Sequence, residues 1–179
     1  MRNFLKIAEG VETLSIVQAI QRQPGLWNAH NLRTTYPDTP HREVDDILVF
    51  FNDLENPEAV INDREVKPFP AWSLLPQLRP MLFNLMRAVE GVQLGRVIIS
   101  RMAPGRQIYP HADGGAPATW YERYQVALQS LPGVLFRAGD ETVQMRTGEL
   151  WWFDNTQEHQ VVNNSADDRL ALIVDIRTA

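Results

Sequence analysis

The chain has 179 residues, 44% of them hydrophobic and 22% charged, proportions of a globular protein that exclude a disordered chain or a coiled coil. Seventeen Lys and Arg against 22 Asp and Glu leave a net charge of −5, which argues against bulk nucleic-acid binding through phosphate neutralisation. Cysteine is absent, so disulfides, thiolate metal sites and a cysteine nucleophile are excluded, and any metal must be held by histidine and carboxylate.

The length predicts one domain over 1–179, with 1–92 as helical support and 93–179 as the core. Met1 to Lys6 lacks the apolar run of a signal peptide, and the densest apolar stretches, Ile47 to Phe51 and Leu170 to Val174, are too short to span a membrane. A cytoplasmic protein without a membrane partner is expected. In chain order, the apolar spacing of Val11, Leu14, Ile16, Val17 and Ile20 predicts an amphipathic helix over Val11 to Gln23, closed by Pro24-Gly25. Thr34 to Arg42 and Asn52 to Pro70 read as loops, and a second helix is expected from about Pro80 to Gly91.

Short β-rich runs follow: Leu94 to Met102, Gln107 to His111, Arg123 to Gln129, Gly133 to Arg137, Thr142 to Arg146, Glu149 to Phe153, His159 to Val162 and Arg169 to Ile176. Eight strands with no helices between them predict a mainly β fold, a double-stranded β-helix or jelly roll of cupin type, with the N-terminal helices packed on one sheet.

Two of the four histidines lie in this half. His111 and Asp113 form a His-X-Asp element whose side chains share a face of an extended chain, and His159 supplies a further imidazole from another strand. Two histidines and one carboxylate make the facial triad of non-haem iron(II) oxygenases. On the last strand Leu170, Leu172, Val174 and Ile176 share one face, leaving Arg169 on the other with Ala171 and Ile173. A guanidinium among such neighbours needs an anion. Arg123 and Gln125 also share a face, which alternation alone leaves free to point to solvent.

Trp120, in the loop after Asp113, is a candidate for substrate contact because loops at a barrel mouth carry specificity. Arg101, Arg106 and Arg123 are expected near the site, suiting a carboxylate- or amide-bearing substrate. The polar stretch with His30, Arg33, Tyr36, His41, Arg42, Glu43, Asp45 and Asp46 is read either as a lid over the site or as a surface loop.

From about residue 94 to 177 the chain resembles the aspartyl/asparaginyl β-hydroxylases, a family of 2-oxoglutarate- and iron(II)-dependent dioxygenases. The resemblance is carried by Ser100-Arg101-Met102-Ala103-Pro104-Gly105, Tyr109-Pro110-His111-Ala112-Asp113, Arg123 to Leu128, Gly148 to Asp154, and Glu158-His159 through Arg169-Leu170 to Val174-Asp175. It implies His111, Asp113 and His159 as catalytic iron ligands, and Arg169 with Ser100 as the holders of the distal carboxylate of 2-oxoglutarate. The Arg-X-His of many relatives reads Arg123-Tyr124-Gln125 here, so Gln125 is left to donate a hydrogen bond to the co-substrate without the charge a histidine can carry. The implied reaction hydroxylates a C–H bond with dioxygen, releasing succinate and carbon dioxide. The substrate the resemblance implies is an aspartyl or asparaginyl side chain or another small polar molecule. A cupin-like metalloenzyme that does not use 2-oxoglutarate and a non-catalytic jelly-roll binding module remain as alternatives.

Overall fold

A computed structural model describes residues 1–179, apart from the side chain of Pro57. Its elements are β1 (Phe4–Ala8), α1 (Leu14–Gln21), α2 (Leu32–Thr35), β2 (Asp45–Phe51), α3 (Pro57–Asn62), β3 (Lys67–Pro68), α4 (Pro70–Leu74), α5 (Leu78–Ala88), β4 (Gly91–Met102), β5 (Gln107–His111), α6 (Gly115–Trp120), β6 (Glu122–Gln129), β7 (Val134–Ala138), β8 (Glu141–Val143), β9 (Leu150–Phe153), β10 (His159–Asn163) and β11 (Arg169–Thr178). A seven-stranded sheet, in the order β1-β9-β6-β11-β4-β2-β3, stands beside a four-stranded one, β5-β10-β7-β8. Every strand pair is antiparallel. This is the expected jelly roll.

All eight expected strands are present, Gln107–His111 with the expected ends and the others with shifted ones. Three more were not read from the sequence. Within Asp45–Phe51, Ile47 to Phe51 is apolar without alternation because both faces are covered: Ile47 and Val49 pack under the helices, while Leu48 and Phe51 pack on the other side with Ile98 and Ile173. Phe4–Ala8 completes one edge of the large sheet beside β9. Lys67–Pro68 is a two-residue strand pairing with Phe50 and Phe51. The expectation of no helix among the strands is also corrected, since α6 lies between β5 and β6. At its start Gly115 has φ +80°, and a Cβ there would come 2.5 Å from the carbonyl oxygen of Ile61, so glycine lets α6 lie against α3.

The two faces of the large sheet have different jobs. On its outer face Leu170, Leu172, Val174 and Ile176 of β11 join Ile16 and Ile20 of α1 and Leu78, Leu82 and Leu85 of α5 in one apolar cluster. Each such side chain contributes roughly 1.5–3 kcal/mol when fully buried. Between the sheets, Phe4, Phe136, Trp151, Phe153 and Val161 form a second cluster. Trp151 is therefore core, with its indole N–H donated to Glu149 Oε2 at 2.9 Å. Among the described residues no helix is long and apolar enough to cross a membrane.

Candidate metal and co-substrate site

His111 at the end of β5 is the cross-strand partner of His159 at the start of β10. Asp113 follows two residues later, held by its backbone N–H on the carbonyl of Asn155 at 3.0 Å. The pairing brings the imidazole rings to 4.2 Å between centroids. The His111 and His159 Nε2 atoms lie 3.5 and 4.0 Å from the Asp113 carboxylate oxygens, and one potential ligand atom from each of the three residues lies within 4.8 Å of the other two. The carbonyls of Tyr109 and Gln157 sit 2.8 and 2.9 Å from Nδ1 of His111 and His159. A carbonyl accepts, so each Nδ1 carries the proton and each Nε2 lone pair faces the common point. Nε2 of His111 is buried without a hydrogen-bond partner. The donor set fits iron(II).

The electrostatics around these three side chains favour a cation. Burial acts to raise the Asp113 pKa, but the adjacent Arg123 guanidinium, with His111, His159 and the Asn155 amide, outweighs it and holds the carboxyl well below its usual range. For His159 burial is the largest influence and lowers the pKa to about 4, with Asp113 opposing and His111 reinforcing it. The imidazole is neutral at physiological pH.

Deeper between the sheets, the inner face of β11 carries Arg169, Ala171, Ile173 and Asp175. Ala171 pairs with Ser100 of β4 and with Ala127 of β6. Arg169 is 4% exposed. Its Nη2 donates to Gln125 Oε1 at 2.8 Å, while its Nη1 and the nearby Ser100 hydroxyl are buried without partners. Burial alone lowers the Arg169 pKa to about 10, so the charge persists at neutral pH. A buried cation and a buried hydroxyl left open on one sheet face fit a carboxylate such as the distal one of 2-oxoglutarate. Gln125 is tied to Arg169. Because a guanidinium offers only donors, the amide oxygen must face it, which orients the arginine and leaves the Gln125 Nε2 amide as a donor.

Other expectations are corrected. Arg123 points inward, but it is not a free substrate contact: Nε and Nη2 donate to Asp175 at 2.7 and 2.9 Å, and Nη1 donates to Asp113. Burial opposes its charge, but these two carboxylates more than compensate and raise its pKa. It positions the Asp113 carboxylate. Trp120 faces a different groove, donating to Gln93 Oε1 at 3.2 Å and stacked against Arg64 and Arg177, because α6 turns its C-terminal end away from the triad. Arg101 alternates outward between Ser100 and Met102, pairing with Asp45 at 2.7 Å and lying over Trp27. Arg106 is exposed in the turn before β5.

A cavity of about 460 Å³ opens beside the triad, lined by His111, Asp113 and Arg123 together with Arg33, Tyr36 and His41. The stretch read as lid or surface loop thus supplies one wall. It is pinned by Arg33 to the buried Asp46 and by Glu43, which accepts from the Tyr109 hydroxyl at 2.7 Å and the Gln107 N–H at 3.0 Å. His41, not singled out for the site, packs its ring 4.8 Å from that of His111, with Nδ1 buried and unpartnered. Only its presence in a polar segment marked it. His30 instead packs on Phe69. A larger cavity, about 650 Å³, lies between α1 and α5 and touches none of the triad, so chemistry rather than size selects the site.

A model of the aspartyl/asparaginyl β-hydroxylase family matches residues 58–179. No curated protein matches the chain. Among solved structures, the fold is similar to the non-haem α-ketoglutarate-dependent epimerase SnoN from nogalamycin biosynthesis (TM-score 0.60, 14% identity, 99% of this chain and 79% of that one). It is also similar to a Pseudomonas putida prolyl-4-hydroxylase (0.55, 12%, 100% and 94%) and to the viral collagen prolyl hydroxylase vCPH from Paramecium bursaria Chlorella virus-1, solved with 2OG (0.54, 14%, 99% and 97%). At these identities the similarity speaks for the fold, and the family match covers more than half the chain. The chain belongs to the aspartyl/asparaginyl β-hydroxylase family.

Proposed function

We propose that the chain is an iron(II)- and 2-oxoglutarate-dependent hydroxylase acting through His111, Asp113 and His159, with Arg169 and Ser100 holding the co-substrate. In this reading 1–92 and 93–179 work as one unit, the first part supporting the large sheet and walling the cavity. The observation that carries the proposal is the coincidence of two incomplete sites between the same two sheets. Three ligands converge on one point, and a buried guanidinium and hydroxyl lack an anion. A cupin-like metalloenzyme without 2-oxoglutarate, or a binding module, leaves the second site without a purpose.

When bound, iron(II) with 2-oxoglutarate and dioxygen supplies the oxidation that puts a hydroxyl on a substrate carbon. The protein's own work is placement. Tyr109 and Gln157 fix the imidazole tautomers, Arg123 and Asn155 hold the Asp113 carboxylate, and Gln125 aims Arg169. The cavity beside the triad receives the substrate, for which the family name suggests an aspartyl or asparaginyl side chain, or another small polar molecule. The test is 2-oxoglutarate turnover. Purified protein with iron(II) and dioxygen should form succinate from 2-oxoglutarate, slowly without substrate and faster with the right one. Equal succinate formation by the wild type and His111→Ala would rule out the assigned centre.

A further inference from the structure

Four guanidiniums reach the space between the sheets and its mouth, and three have an assigned anion. Arg33 pairs with Asp46, Arg123 with Asp113 and Asp175, and Arg169 is assigned to 2-oxoglutarate. Arg96 lines the same cavity as His111 and Asp113, and among the described residues it pairs with no carboxylate. Alternation along β4 puts Arg96 on the inward face with Ile98 and Ser100, while Val97 and Ile99 face the helices, and a bulge that sets Gly95 and Arg96 against Asp175 interrupts the pairing just beyond. Arg96 and Ser100 lie four residues apart on β4, about 13 Å along a strand, so Arg96 is separate from the co-substrate anchor.

The side chain is held for use. Its guanidinium stacks 4.5 Å from the centre of the Phe51 ring, Nε donates to Asn52 Oδ1 at 2.7 Å, and Nη2 donates to the carbonyl of Val60. Among the described residues no hydrogen bond engages Nη1. Burial is the main influence on its pKa and, with Arg123 and Arg33 also opposing its charge and Asp175 and Asp113 supporting it, brings the value down to about 10. Arg96 remains cationic at neutral pH with only neutral acceptors in contact. Phe51, Val60, Ile61 and Ile98 form an apolar part of the cavity lining, beside the polar Arg33, Tyr36 and His41. An aspartyl residue laid along that apolar part would set its backbone amides against side chains that offer no hydrogen bonds, leaving them unsatisfied at a cost.

We propose that Arg96 anchors the anionic end of the substrate, and that the substrate is a small monocarboxylate whose apolar body lies along Phe51, Val60, Ile61 and Ile98. This rests on the hydroxylase reading for the same cavity and replaces the aspartyl or asparaginyl side chain with another substrate class.

The test is calorimetric titration of hexanoate and of phenylacetate, each beside its neutral amide, into the anaerobic complex with iron(II) and saturating 2-oxoglutarate. At least one acid should bind about tenfold or more tighter than its amide, the scale of one charge-assisted hydrogen bond. Arg96→Gln should erase that difference and Arg96→Lys keep part of it. Both variants should retain the wild-type affinity for 2-oxoglutarate, which also shows that they fold. The proposal is overturned if neither acid outbinds its amide, if Arg96→Gln keeps the preference, or if N-acetyl-aspartate amide outbinds both acids. Failure of the wild type to bind 2-oxoglutarate at all would instead strike the hydroxylase reading. The same titrations on metal-free protein then still test Arg96, because comparing Arg96→Gln with Arg169→Met shows which guanidinium holds the acid.

Discussion

The two faces of the seven-stranded sheet are equally buried and chemically opposite. On β11, Leu170, Leu172, Val174 and Ile176 are at most 7% exposed, and so are Arg169, Ala171, Ile173 and Asp175. The outer set closes on helices with apolar contacts alone. The inner set carries a guanidinium and a carboxylate, the first without an ionic partner and the second engaged by Arg123. Burial therefore does not separate structure from function in this sheet. Unmet hydrogen-bonding capacity does, because an unpaired polar group in a dry interior costs stability that packing must offset.

The largest expected effect falls on the ligands. His111→Ala and His159→Ala should each lower iron(II) affinity by more than about 100-fold, beyond what losing an outer partner of a metal ligand costs, while urea denaturation of the metal-free variants stays near wild type. Anaerobic calorimetry checks the first part. The outer face should behave in the opposite way. Leu172→Ala empties a fully buried site and should cost about 2–5 kcal/mol of stability, with the iron(II) affinity of the folded fraction unchanged.

Arg169 sharpens the contrast. Replacing it by methionine removes a buried charge that has no anion, so the ligand-free protein should be as stable as wild type or more so. The 2-oxoglutarate affinity should fall about 10- to 100-fold, the loss of a charge-assisted contact of roughly 1.5–3 kcal/mol. Marked destabilisation with unchanged co-substrate affinity would put Arg169 among the structural residues.

The smallest effect is in pH. His159 has its folded pKa lowered to about 4 against an ordinary 6.5, so below pH 6.5 the unfolded chain takes up a proton that the folded one refuses. Stability of the metal-free protein should therefore fall as pH drops from 6.5 toward 4, by roughly 1 kcal/mol between pH 7 and 5.5. Asp113, lowered as a carboxylate, loses its contribution only at more acidic pH. His41, whose pKa burial also holds well below 6.5, adds a decline of the same sign, so His159→Gln should remove only the His159 share in parallel urea titrations at the two pH values.

How much of this was legible in the sequence follows the same division. Alternation placed the four apolar residues of β11 on one face and Arg169 on the other, and the spacing from His111 to Asp113 and on to His159 marked the metal group. Period-2 reasoning has no rule for which face of a doubly covered sheet holds chemistry, so Arg123 and Gln125 were turned inward only by resemblance. It also passed over Asp45–Phe51, whose unbroken apolar run lacks alternation because both faces are buried. Arg96 has the parity of Ser100 on β4, but no motif marks it, and its setting depends on Phe51, Asn52 and Val60, more than thirty residues earlier in the chain. His41 and the wall it belongs to depend on contacts with β5 more than sixty residues away in the chain. Trp120 misled because proximity in sequence to Asp113 did not give the direction of the short helix between them.

The central claim is that the triad and the open inner guanidinium belong to one centre. Anaerobic titration with iron(II) and then 2-oxoglutarate, followed by visible absorption, tests it most directly, because the weak metal-to-ligand charge-transfer band arises only when the co-substrate chelates the metal. The band should form with wild type after both additions, be absent in His159→Ala, and require about 10- to 100-fold more 2-oxoglutarate in Arg169→Met. A wild-type protein that binds both components without the band, or an Arg169→Met titration that overlays the wild type, would contradict the claim.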